Sequence, residues 1–116
     1  MNYISTRGYE GKCSSSEAII RGIAPDGGLF VPETIPQLTQ EDLERMQTMQ
    51  HSELSAFVLS KFLTDFTEAE LLEYTRQAYA EEKWGENPVP LVQMNVYNDR
   101  EYILELWHGP TCAFKD

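Results

Sequence analysis

The sequence predicts an α+β fold, with a helix-rich domain over residues 1–86 followed by a β-hairpin within residues 87–116. Three observations carry this reading. Helix-capping signals recur up to Trp84, a proline-bounded segment Asn87-Pro88-Val89-Pro90 interrupts them, and apolar and polar residues alternate beyond it. Each proline disfavours helix at the residue before it, so 87–90 is an extended connection.

A short strand is expected around Asn2 to Thr6. Ser14-Ser15-Ser16-Glu17 then has the form of a capping box, in which a hydroxyl takes an amide three residues on and Glu17 reaches back. The helix it opens runs through Ala18, Ile19 and Ile20 and stops at Gly22, which tolerates a left-handed exit. Thr39 caps a second helix, with Leu38 placed to staple against Leu43. A third covers Ser52 to Leu63, where Leu54, Phe57, Val58 and Phe62 fall at helical spacing. The fourth opens on a Thr67/Glu70 box with a Phe66/Leu71 staple, buries a stripe of Leu71, Tyr74 and Ala78, and ends near Gly85. Val92, Met94 and Val96 alternate with Gln93, Asn95 and Tyr97, Asn98-Asp99-Arg100 supplies a turn, and Tyr102, Leu104 and Leu106 return, so Leu91 to Trp107 reads as a hairpin.

Composition narrows the function classes. Of 116 residues, 19 are acidic and nine basic, for a formal net charge of −10, and the basic residues form no cluster. Binding to nucleic acid needs grouped Lys and Arg to displace counterions, so no nucleic-acid partner is expected. No apolar run approaches the length of a membrane helix, and the N-terminus lacks the basic start and apolar run of a secretory signal. The expected address is the cytoplasm, where Cys13 and Cys112 are free thiols. Two histidines cannot build a histidine-rich zinc site, and Gly109-Pro110 breaks the helix that would bring His108 and Cys112 onto one face. No metal is expected. Neither a dinucleotide fingerprint nor a Walker lysine motif is present, and Ala24-Pro25-Asp26-Gly27-Gly28-Leu29 reads as a tight turn.

The segment from Glu105 to Asp116 departs from ordinary scaffold. A strand ends at Trp107, Gly109-Pro110 imposes a bend, and Thr111 can cap the turn that follows. Lys115 then lies beyond a strand's C-terminal end and near a helix start, the place where open α/β sheets bind ligands. A lysine there, partly desolvated by Phe114 and Trp107, loses its proton more readily, and a neutral amine attacks a carbonyl to form a Schiff base. On spacing alone, a plain surface lysine at a chain end is the simpler alternative.

His108-Gly109-Pro110-Thr111-Cys112-Ala113-Phe114-Lys115-Asp116 resembles the cofactor-lysine motif of the threonine synthases, pyridoxal-phosphate enzymes of the tryptophan-synthase β-like fold. The stretch from Ser16 to Pro32 and the opening Tyr3-Ile4-Ser5-Thr6-Arg7-Gly8 resemble the same family's N-terminal signatures, and the three matches fall in the family's order. The resemblance implies that the chain is the N-terminal part of such an enzyme, with residues 87–116 beginning its α/β pyridoxal-phosphate domain. It implies pyridoxal 5'-phosphate as cofactor on Lys115, which is also the catalytic lysine, and O-phospho-L-homoserine as substrate, converted with water to L-threonine and phosphate. His108, Thr111, Phe114 and Asp116 would shape the loop around Lys115. Ser5, Thr6 and Arg7 would either hold the substrate phosphate or tie down the N-terminus. The remainder of the chain would be a partner of these residues, which by themselves are expected to be inactive. A threonine-synthase-like phospho-lyase and a non-catalytic acidic helical interaction module are the alternatives. The oligomeric state stays open.

Overall fold

In the computed structural model, residues 1–94, 100–113 and 115 are described. Asn95 to Asp99, Phe114 and Asp116 lie outside them, and with these go the expected strand positions Val96 and Tyr97 and most of the expected hairpin turn. The chain divides into two compact units, Met1–Thr75 and Arg76–Asp116. Local hydrogen bonding explains most element boundaries in both.

In the first unit the strand β1 (Tyr3–Ser5) pairs antiparallel with β2 (Phe30–Pro32), Ile4 opposite Val31 and Ser5 opposite Phe30. On the other side of β1, Tyr3 and Cys13 exchange backbone hydrogen bonds at 2.9 and 3.2 Å. α1 (Ser15–Arg21) starts on the expected box: Ser14 Oγ accepts from Glu17 N at 3.3 Å and Ser14 N donates to Glu17 Oε2 at 3.0 Å. It ends at Gly22, whose φ of 70° is open to glycine without strain. α2 (Gln40–Met46) begins on a second box, Thr39 with Asp42. α3 (His51–Phe62) and α4 (Glu68–Ala78) follow, the latter opened by the Thr67/Glu70 box. Leu38 and Leu43, expected to staple α2, stay largely exposed.

The core of this unit is built from small side chains. Cys13, Ala18, Ala24, Ala56 and Leu71 are its buried apolar residues, joined by Ser5, Ser15 and Thr75. Tyr3 spans to α3, its hydroxyl donating to the Phe62 carbonyl at 3.3 Å, and burial, assisted by nearby Asp65, pushes that phenol's pKa up. Asp65 in turn accepts from Ser16 N at 2.9 Å, which ties α1 to the α3–α4 connection. Between α2 and α3, Lys61 pairs with Asp42 at 3.4 Å and stands 4.5 Å from the centre of the Phe57 ring, with the Arg45 guanidinium 5.1 Å from the same centre.

The fourth helix departs from expectation in two respects. Thr75, not Tyr74 or Ala78, takes the buried position beside Leu71, its hydroxyl satisfied by the Leu71 carbonyl at 2.9 Å, while Ala78 is exposed and Tyr74 is half-exposed and meets Phe66 edge-on. The helix also stops at Ala78, and α5 (Glu81–Trp84) carries the chain on to Gly85. The break is held from the second side: Trp84 Nε1 donates to the Ala78 carbonyl at 2.8 Å and Lys83 Nζ to that of Gln77 at 3.1 Å, so side chains satisfy carbonyls that a longer helix would have used.

The second unit's sheet is an antiparallel pair, β3 (Leu91–Met94) and β4 (Glu101–Leu104), with Leu91 opposite Leu104 and Val92 opposite Ile103. The returning strand stops at Leu104 rather than at Trp107, after one further ladder bond from Glu105 N to the Pro90 carbonyl. Leu91, Val92, Tyr102, Ile103 and Leu104 are exposed, on both faces of the pair, and Met94 is part-buried, so the expected half-buried alternation does not form among the described strand residues. No helix among the described residues is long and apolar enough to cross a membrane.

Hydrogen bonding holds the pKa values of Asp26, Asp42, Asp65 and Glu70 below the ordinary carboxylate range, chiefly through Gly28 N, Thr39 N, Ser16 and Thr67 N respectively, and Lys12 does the same for Glu33. A carboxylate lowered in the folded state contributes stability that is complete above its unfolded value and is lost as the pH falls through its folded value. Circular dichroism at falling pH should therefore show helix loss beginning near the unfolded carboxylate value of about 4. Asp65→Asn should weaken that pH dependence.

Candidate functional site

Two groups of residues singled out by sequence lie one in each unit. The first forms where β1 runs out beside the Ala24–Gly28 turn. Pro25 pre-sets the turn, Gly27 N closes it on the Ala24 carbonyl at 2.8 Å, and Gly27 takes a φ of 77°. Thr6 N bonds the Leu29 carbonyl and Leu29 N bonds Thr6 Oγ1, both at 3.0 Å, so the chain after β1 is laid along the turn.

Asp26 is the centre of this group. Its carboxylate accepts from Ser5 Oγ at 2.7 and 2.9 Å, from Tyr9 N at 2.9 Å and from Gly28 N at 3.0 Å. Ser5 Oγ accepts from Arg7 N at 3.1 Å, so the buried Ser5 hydroxyl uses its proton on Asp26 and a lone pair on the Arg7 amide. Arg7 itself is exposed; one guanidinium nitrogen reaches the Asp26 carbonyl at 3.4 Å, and no ion pair joins it to the Asp26 carboxylate. Of the three residues suggested for a phosphate, Ser5 is committed to holding the loop, Thr6 accepts from Leu29 N, and Arg7 presents a cation at the surface.

The role of Asp26 beyond its own turn is not evident in the sequence. Aspartate before Gly-Gly signals a turn by bonding its own backbone two residues on, and its bond to Gly28 N does this. The bonds to Ser5 and Tyr9 depend on a strand pairing that brings residues 5 and 26 together.

In the second unit, Gly109 is buried and Cys112 N bonds the Gly109 carbonyl at 3.0 Å, closing the bend that Gly-Pro promised. Cys112 sits at φ 55°, unusual for a side-chain-bearing residue. The described residues from Gly109 onward make turns and bends, with Thr111 inside them and no helix following. His108 Nε2 lies 2.5 Å from Glu105 Oε2, and its ring stacks on Trp107 with centroids 5.8 Å apart. Glu105 is thus a partner for His108 that spacing alone does not single out. Lys115 is exposed in a turn. Phe114 and Asp116, expected to shape its surroundings, are outside the described residues. A primary amine at an exposed turn is chemically suited to condense with an aldehyde.

Residues 2–79 match the family model described as "Threonine synthase N terminus". Threonine synthase from Methylobacillus glycogenes is 36% identical over 121 residues, covering 100% of this chain and 26% of the relative. Threonine synthase-like 2 from Homo sapiens is 34% identical, covering 100% of this chain and 24% of the relative. The crystal structure of a threonine synthase from Brucella melitensis with bound pyridoxal phosphate superposes with a TM-score of 0.86 at 36% identity, over 99% of this chain and 24% of that one. The chain spans about a quarter of the length of the curated relatives it matches.

Glycine is required at residue 28 by close approach. A Cβ there would stand 2.2 Å from Ser5 Oγ and 3.1 Å from Arg7 N, so turn and strand would have to separate. Gly28→Ala should destabilise the chain by about 1–3 kcal/mol, read as a lowered melting temperature.

Proposed function

The chain belongs to the threonine synthase family, and from that membership we propose that it is the N-terminal part of an enzyme converting O-phospho-L-homoserine and water to L-threonine and phosphate. The observation that carries this reading is the similarity to threonine synthase along the whole chain, which includes the segment from His108 to Lys115. In this reading residues 1–86 are an N-terminal domain, residues 87–116 begin the cofactor domain, and the enzyme works in the cytoplasm.

Lys115 would hold pyridoxal phosphate through Nζ. When bound, that cofactor supplies the electron sink for charge left on a substrate carbon. The protein's own work falls to named groups. The Lys115 amine would hold the cofactor and, once released from it, would take up and return protons at Nζ, a role that an exposed lysine can serve. His108, fixed by Glu105 and stacked on Trp107, stiffens the approach to the bend that carries Lys115. Arg7 offers a planar fork of donors suited to a phosphate monoester.

The similarity to threonine synthase-like 2 supports a second reading, a phospho-lyase that expels phosphate without completing threonine. One set of measurements tests both, made on the enzyme of the relatives' full length that contains these residues. Borohydride reduction followed by peptide mapping should place the pyridoxyl group on Lys115, and Lys115→Ala should lower turnover by about a thousandfold. Equal yields of threonine and phosphate support the first reading. Phosphate without threonine supports the second, and a pyridoxyl group on any other lysine overturns both.

A further inference from the structure

Asp26 and Arg7 are neighbours of opposite charge, yet they do not neutralise each other. The Asp26 carboxylate accepts from uncharged donors: the one Ser5 hydroxyl proton, shared between its two oxygens, Tyr9 N and Gly28 N. Two of those donors bracket Arg7 in sequence, and Ser5 Oγ in turn receives the Arg7 amide at 3.1 Å. The backbone is therefore gripped before, at and after Arg7, by bonds that converge on one carboxylate. The guanidinium rests only on the Asp26 carbonyl, at 3.4 Å through one nitrogen, and its remaining donors meet no other described residue. Glycine at position 27 keeps that placement open, since a Cβ there would come within 3.1 Å of the same guanidinium nitrogen.

This is an economical way to present a cation. A surface arginine next to an aspartate ordinarily closes an ion pair, and its fork is then occupied. Here the acid accepts from three groups of the loop and forms no ion pair with Arg7, so the arginine is aimed without its fork being occupied.

We propose that Asp26 is a positioning residue that, through Ser5 and the backbone at residues 7 and 9, aims the Arg7 guanidinium at the phosphate group of the substrate. The proposal rests on the reading of Arg7 as a phosphate ligand, and it assigns Ser5 to the support of that ligand rather than to the phosphate. Substrate affinity then depends on a carboxylate that never touches the substrate. Because both residues act along one route, removing Asp26 after Arg7 has gone should cost nothing further.

The test uses the full-length enzyme and four measurements: KM for O-phospho-L-homoserine, kcat, inhibition by inorganic phosphate, and melting temperature. Arg7→Ala should raise KM and the inhibition constant of inorganic phosphate by about tenfold or more, and Asp26→Asn should raise both by about tenfold, far more than it lowers kcat. The double variant should match Arg7→Ala alone. A folded Asp26→Asn enzyme whose KM is unmoved, or losses that multiply in the double variant, overturns the proposal while leaving Arg7 as a ligand. An Arg7→Ala enzyme with unchanged KM and phosphate inhibition overturns the reading of Arg7 and the proposal together. If Asp26→Asn does not fold, Ser5→Ala, which cuts the same link while leaving Asp26 its amide partners, is read in the same assays with the same outcomes.

Discussion

The acceptance of several hydrogen bonds by the Asp26 carboxylate is the interaction on which the first unit's opening segment depends. A strand of three residues paired to another of three holds little cohesion of its own. Asp26 adds a fastening at the strand's open end: it fixes Ser5, which closes β1, and Tyr9, which lies beyond the loop. The same group supports its own turn through Gly28. One side chain thus links local turn chemistry to a contact between segments far apart in sequence, and the bare Cα of Gly28 is what lets the two approach.

What could be read from sequence follows the range of the interaction. The capping boxes at Ser14, Thr39 and Thr67 span four residues each, and all three form as the residue types imply. The glycine exits at Gly22 and Gly85 are equally local. β2 escapes notice because Phe30-Val31-Pro32 is short and contains proline, and only pairing with β1 makes it a strand. The division between α4 and α5 has no glycine or proline to announce it. The indole of Trp84 folds back onto the Ala78 carbonyl and satisfies it at the break, and periodicity has no means of showing such a contact. Thr75 replaces Tyr74 in the core by a shift of one position around the helix, decided by what the neighbouring elements present.

The candidate site divides in the same way. The motif ending at Lys115 stands out by residue type, because Gly-Pro imposes a bend and a lone lysine follows it. The chain's approach to that bend was less legible: the strand releases at Leu104, and the pairing of Glu105 with His108 takes over where further ladder bonds were expected. At the other end of the chain, Ser5, Thr6 and Arg7 are three adjacent polar residues with no visible division of labour. Folding distinguishes them, since one is buried and fully engaged, one braces a backbone amide, and one faces solvent.

The β3–β4 ribbon has a bearing on biosynthesis. Leu91, Val92, Tyr102, Ile103 and Leu104 are all exposed along this antiparallel pair. As this stretch leaves the ribosome it displays the extended, apolar pattern that holdase chaperones grip, whereas the capped helices made before it have already found their partners close by. During synthesis this ribbon is therefore more open to chaperones and to self-association than the capped helices that precede it.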